Sequence, residues 1–305
     1  MKQITKIVLF LIIVSSSVFP QKTEGIKKIN GADIFCRTAG TGNPIVIVHG
    51  GPGLAHNYLY EHFSQLEQNY RLIFYDQRGC GLSEPFKESE NITVDLMVED
   101  LEGIRKEYGI EKMNLAGQSW GAVIAFNYIF KYPGNVNSLI LLEPAPGSSE
   151  FLPLFQKNIL SRLSKNGAAR LAELGGNPAL KSNPDLFKEF MGVRMKTYYS
   201  DTLKFSPGQF EYFDSSKVKK FFSSSAKFAP YLVNYNLFDK MNDIKCPVLI
   251  IAGDYDPIPN ESVRKMNRLI PLSELHIIKD CGHFVHIEKP DEYFAAIEDF
   301  LQKHK

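Results

Sequence analysis

Gly117-Gln118-Ser119-Trp120-Gly121 stands between two apolar stretches, Met113 to Ala116 before it and Ala122 to Phe130 after it. The first has the length of a buried strand and the second that of a helix. A junction this abrupt needs small residues on both sides, and Gly117 and Gly121 provide them. Such a turn lifts the serine hydroxyl above the strand end and aims the following N–H groups at a reacting oxygen. The helix that starts there adds the positive end of its dipole. Ser119 is therefore read as a nucleophile, against the plainer alternative of an ordinary strand-to-helix turn.

A serine hydroxyl is a weak nucleophile at neutral pH and needs a base, itself held by an acid. On this kind of turn the acid and then the histidine follow in chain order. His283, in Asp280-Cys281-Gly282-His283-Phe284, comes just after the last expected strand, Leu275 to Ile278, and overhangs the same sheet edge. His276 lies inside that strand and is expected to pack on or beside the sheet, while His286 falls toward the final helix. For the acid, Val248–Ile251 runs into Gly253-Asp254-Tyr255-Asp256-Pro257. Asp256 has the longer reach toward the histidine loop and Asp254 suits the turn. Glu143, after Ser138–Leu142, ranks third. The oxyanion of a tetrahedral intermediate needs two N–H donors. Trp120 supplies one and Gly51, in His49-Gly50-Gly51-Pro52-Gly53, the other.

Outward from this centre the chain alternates. Ile29 to Thr38 reads as one or two edge strands with a turn at Asn30-Gly31. Ile45–Val48 and Leu72–Tyr75 are continuous apolar runs, as suits strands covered on both faces. Thr93 opens a helix, and Ser138–Leu142 is another strand. Between Pro144 and Asp239 the alternation gives way to helical pieces rich in Phe and Tyr. It resumes with the strand Val248–Ile251, the helix Ser262–Leu269, the strand Leu275–Ile278 and the helix Asp291–Gln302. Two βα blocks around a helical insert describe an α/β fold, a mostly parallel doubly wound sheet with an inserted cap. The expected division is a core of 21–144 and 240–305 and a cap of 145–239.

Residues 1–20 read differently. Lys2 and Lys6 precede the apolar run Ile7–Val14, eight residues followed by Ser15, Ser16 and Ser17. A bilayer span needs ~20 residues, so the pattern is that of a secretory signal peptide, and a secreted or periplasmic protein is expected. The alternative is a cytoplasmic chain with a buried first element. Across 305 residues Lys and Arg number 35 and Asp and Glu 34, a net charge of +1 that draws neither nucleic acid nor an acidic membrane. Four dispersed cysteines, with no CxxC pair, suggest neither a disulfide scaffold nor a zinc site. No phosphate-cradling loop and no metal-spaced His or carboxylate cluster is visible, so no cofactor and no metal is expected. The expected partner is a small-molecule or short-peptide substrate, with no stable membrane anchor.

Five segments in this order resemble the α/β-hydrolase superfamily: His49–Gly53, Asp76-Gln77-Arg78-Gly79-Cys80-Gly81-Leu82-Ser83, Gly117–Gly121, Gly253–Asp256 and Cys281–His283. The first two narrow the resemblance to the proline iminopeptidase-like branch. It implies a metal-free serine peptidase that releases an N-terminal residue, proline first, with Asp76 and Arg78 tying loops near the site. In that branch glutamates hold the substrate's free amine. One family position, just after the triad aspartate, is Pro257 here, so Glu211 in the insert is the first candidate, ahead of Glu150, Glu173 and Glu189. Between 145 and 240 there are 14 Lys and Arg against 8 Asp and Glu, an odd surround for a cationic amine. Two other activities therefore stand beside aminopeptidase: a carboxylesterase or amidase on a small apolar substrate, and a non-catalytic ligand-binding protein on the same fold.

Overall fold

The computed structural model describes residues 22–87 and 90–304. The expected signal peptide, residues 1–20, lies outside them. Eight strands form one sheet among the described residues, in the order β1-β2-β4-β3-β5-β6-β7-β8. They are β1 (Thr23–Ile29), β2 (Ala32–Ala39), β3 (Asn43–Val48), β4 (Tyr70–Tyr75), β5 (Met113–Gln118), β6 (Val136–Leu142), β7 (Val248–Gly253) and β8 (Ser273–Ile278). The pairs β1–β2 and β2–β4 are antiparallel, and the rest of the sheet is parallel.

The continuous apolar runs have the expected cause. Val46 and Val48 pack into one buried cluster and Ile45 and Ile47 into another, on opposite faces of the sheet. Leu139 and Leu141 divide from Ile140 and Leu142 in the same way, as do Val248 and Ile250 from Leu249 and Ile251. One face is covered by α1 (Val94–Glu107), α2 (Trp120–Lys131) and a helix at Asn260–Leu269; the other is covered chiefly by the helix Pro290–Lys303. Thr93 caps α1 by accepting the Leu96 N–H at 3.1 Å.

The first hairpin begins earlier than its apolar pattern suggests. Asn30 and Gly31 make the turn with φ of 47° and 76°, the positive values that a tight right-twisting hairpin demands. The strand before it is an edge strand in which Thr23, Glu24, Ile26 and Lys28 are exposed and Lys27 is half-buried. Its alternation is therefore too polar to announce a strand from Thr23.

Between β6 and β7 the chain builds its helical insert. The longer helices are α3 (Leu152–Ser161), α4 (Lys165–Gly176), α5 (Pro184–Met195) and α6 (Ser215–Val233); the two that follow β7 and β8 become α7 (Asn260–Leu269) and α8 (Pro290–Lys303). Because β3, β5, β7 and β8 run parallel, their C-terminal loops gather at one sheet edge beneath the insert. The four cysteines are unpaired, with Cys36, Cys80 and Cys281 buried. No described helix is long and apolar enough to cross a membrane.

Candidate active site

Ser119 joins β5 to α2 with φ 52° and ψ −118°, a conformation that non-glycine residues rarely adopt. The surroundings enforce it. A Cβ on Gly121 would collide with the Val48 carbonyl oxygen, and one on Gly117 would lie 2.7 Å from the Gly121 carbonyl oxygen. The Ser119 N–H donates to the Leu142 carbonyl at 2.9 Å, and its carbonyl accepts from Ala122 and Ala145. The serine is thus pinned from both neighbouring elements, with its side chain on a cavity of about 530 Å³.

His283 lines the same cavity. Its Nδ1 lies 2.8 Å from Asp256 Oδ2, and Asp256 Oδ1 accepts the Ile258 N–H at 2.8 Å. With Nδ1 bonded to a carboxylate, the Nε2 lone pair is left for a proton from the cavity side. Asp254 points elsewhere, accepting the Cys281 N–H at 3.3 Å. The rival histidines separate clearly: His276 is exposed on β8, and His286 is buried against Tyr58 and His62, where burial holds it neutral.

Glu143 lies fully buried between these groups, with φ 41° and its Oε2 3.4 Å from Gln118 Nε2. Burial, reinforced by the Asp256 charge, pushes its carboxyl well above the ordinary carboxylate range. That shift disfavours the charge an imidazolium partner needs. Glu143 bonds Gln118 while His283 is held by Asp256, so contact and direction of shift both set the two acids apart.

Gly51 and Trp120 both face the cavity. The Gly51 N–H has no partner among the described residues, and Trp120 occupies the first position of α2, where no intrahelical acceptor exists. Behind them runs a buried chain that the sequence did not announce. The Gly50 N–H donates to Tyr58 Oη at 2.7 Å, and Tyr58 donates to Gln118 Oε1 at 2.7 Å. Gln118 Nε2 then lies 3.4 Å from His283 Nε2. The chain links the glycine loop, the turn before the serine and the histidine. Its one legible sign was the polar Gln118 directly before the serine.

The flanking segment behaves as a tie. Asp76 accepts from the His56 N–H and ring Nδ1, both at 2.8 Å, and from the Leu82 N–H at 2.7 Å. Burial would raise its pKa, but these bonds and the nearby His56 and His49 outweigh that and hold it below the ordinary range. Arg78 grips Asp100 through two bonds of 2.8 and 2.7 Å and reaches Glu90 at 2.9 Å. The insert also reaches down: Arg162 donates to the Thr197 and Asp256 carbonyls at 2.9 and 3.2 Å, and the His283 N–H donates to the Tyr198 carbonyl at 2.7 Å.

Glu211 is not brought to this cavity. Its Oε2 pairs with Lys188 Nζ at 2.6 Å on the outer side of the insert. Glu150, Glu173 and Glu189 are likewise engaged by Lys265 and Arg170 outside it. The described residues that line the cavity include no carboxylate. They show no cluster of His, Cys, Asp and Glu suited to a metal ion either.

The model of a family described as "alpha/beta hydrolase fold" matches residues 43–290. The proline iminopeptidase of Lactobacillus helveticus (strain DPC 4571) is 30% identical over 293 residues, covering 92% of this chain and 98% of that enzyme. The proline iminopeptidase of Thermoplasma volcanium is 28% identical over 293 residues, with coverage of 92% and 97%. Among solved structures, the proline iminopeptidase of Mycobacterium smegmatis superposes with a TM-score of 0.74 at 22% identity, covering 92% of this chain and 98% of that one. An esterase from Exiguobacterium antarcticum gives a TM-score of 0.68 at 21% identity, covering 92% and 100%. At these identities the solved structures speak for the fold, whereas the family match and the Lactobacillus relative decide membership. This chain belongs to the α/β-hydrolase family, in the branch that contains the proline iminopeptidases.

Proposed function

We propose that the protein is a serine hydrolase working through an acyl-enzyme. The observation that carries this is Ser119 on its strained turn, sharing one cavity with a His283 whose Nδ1 is held by Asp256 at 2.8 Å. Ser119 Oγ attacks the scissile carbonyl while His283 Nε2 takes its proton, and Asp256 stabilises the imidazolium. The Gly51 and Trp120 N–H groups bind the oxyanion, a contact worth ~3 kcal/mol per donor in the transition state. His283 returns the proton to the leaving group. Water, deprotonated by the same histidine, then attacks the ester of Ser119 and frees the acid. The insert of 145–239 acts as the cap of this site, over a core of 21–144 and 240–305.

The relatives supply the finer reading: an aminopeptidase that releases an N-terminal residue, proline first, from short peptides. A second reading, a carboxylesterase or amidase on a small apolar substrate, is favoured by the carboxylate-free cavity, which offers no anchor for a free amine. Fluorophosphonate labelling tests the chemistry. Wild type is expected to be labelled and Ser119→Ala not, whereas no labelling of folded wild type would favour a non-catalytic binder. Proline release from prolyl anilide, set against hydrolysis of short 4-nitrophenyl esters, divides the two activities. Brisk ester hydrolysis with no proline release would retire the peptidase.

A further inference from the structure

Arginine partners single out one residue of the insert. Among the described arginines that are not exposed, Arg37 pairs with Glu24, Arg78 with Asp100, Arg105 with Glu102 and Arg170 with Glu173. Arg162 binds two carbonyls, and Arg71 lies 5.3 Å over the Tyr108 ring. Arg194 is the exception. It is half-buried in the last turn of α5, with no hydrogen bond, ion pair or ring contact of its guanidinium to any described residue.

It also lines the cavity that holds Ser119 and His283. Its position near a helix C-terminus explains a cation at that turn. It does not explain why that guanidinium lines an aromatic and methionine-rich wall with no acidic partner among the described residues. Gln156, on α3, lines the same space and also lacks a side-chain partner among the described residues. With no Asp, Glu or Lys on the described wall, Arg194 is the only permanently charged group there.

We propose that Arg194 receives a carboxylate of the substrate. This rests on the hydrolase reading and narrows it: the substrate combines an apolar body with a negative charge. The planar guanidinium fork matches a carboxylate in two parallel hydrogen bonds, which a lysine cannot reproduce. Two sources fit this chemistry. One is the free C-terminus of a dipeptide; the other is an acid group carried by an ester.

Two substrate pairs separate them. Prolylphenylalanine is compared with its C-terminal amide, and the butyrate ester of 4-hydroxybenzoate with that of 4-hydroxybenzamide. Wild type is expected to favour the carboxylate member of at least one pair on the order of tenfold in kcat/KM. Arg194→Gln should bring that ratio close to its chemical background, mainly through KM, and Arg194→Lys should restore part of it. The pair that responds identifies the source. A ratio equal in wild type and Arg194→Gln, for both pairs, overturns the proposal while leaving the hydrolase intact.

If wild type turns over none of the four compounds, fluorophosphonate labelling decides the hydrolase reading separately, and calorimetry with hexanoate decides this one. Binding weakened about tenfold or more by Arg194→Gln supports the carboxylate site. No binding, or equal binding, overturns it.

Discussion

The strand-end loops and the helical insert face each other across one cavity and follow opposite rules. Below, polar groups are buried and bonded at fixed distances: Asp256 to His283 and Ile258, Asp76 to His56 and Leu82, Tyr58 to Gly50 and Gln118. Above, Phe190, Met191, Met195, Phe221 and Phe222 present a soft apolar surface broken by one unpaired cation. On the lower side each group's position depends on the next, so a substitution there is expected to propagate through the bonded set. The upper side can be repacked without disturbing the chemistry. On the proposed function, reaction type resides in the sheet edge and substrate choice in the insert.

The hardest test of that division is Asp256→Asn. It keeps the shape and removes the charge that orients His283, so kcat should fall roughly 10⁴-fold with the fold intact by circular dichroism. A loss of less than tenfold would mean that Glu143 supplies the acid after all. A smaller effect is expected where the two regions touch. Arg162 donates to the Asp256 carbonyl and stacks 4.0 Å over the Tyr255 ring. Arg162→Met should lower kcat about tenfold, with KM moving less, because the acid loop loses a brace rather than a reacting group. If KM alone moves, Arg162 belongs to the substrate side and the boundary has been drawn in the wrong place.

The smallest effect is on stability. Glu143 holds its proton more tightly folded than unfolded, since burial raises it above the ordinary value of 4.5. Its contribution is therefore complete below about pH 4.5 and is lost as pH rises above that. Glu143→Gln cannot ionise, so its Tm should match wild type near pH 4 and exceed it by roughly 2 °C or more at pH 8. Parallel Tm curves across that range would show that Glu143 is not held protonated.

The sheet edge was legible for a physical reason. Strands such as Ile45–Val48 and Val248–Ile251 are buried on both faces, so they read as unbroken apolar runs and end at glycine or aspartate. The order of serine, acid and histidine along those ends pointed to loops that the fold gathers beside one cavity. The insert resisted the same reading because its helices bury side chains in two directions, against the core and toward the cavity. Which charged residue turns inward then depends on contacts distant in sequence. Lys188 draws Glu211 outward from 23 positions away, whereas no described residue engages Arg194 in that way. The Tyr58–Gln118 link is likewise a pairing across 60 positions, set by the fold and invisible to local pattern.

The four unpaired cysteines bear on where such a protein can operate. Burial pushes the Cys36 and Cys80 thiols up to about 12 and Cys246 to about 11, and raises Cys281 as well. Oxidants and thiol reagents attack the thiolate, and at neutral pH almost none is present at these positions. The folded protein should therefore be indifferent to redox poise, keeping its activity in glutathione and in dilute peroxide alike.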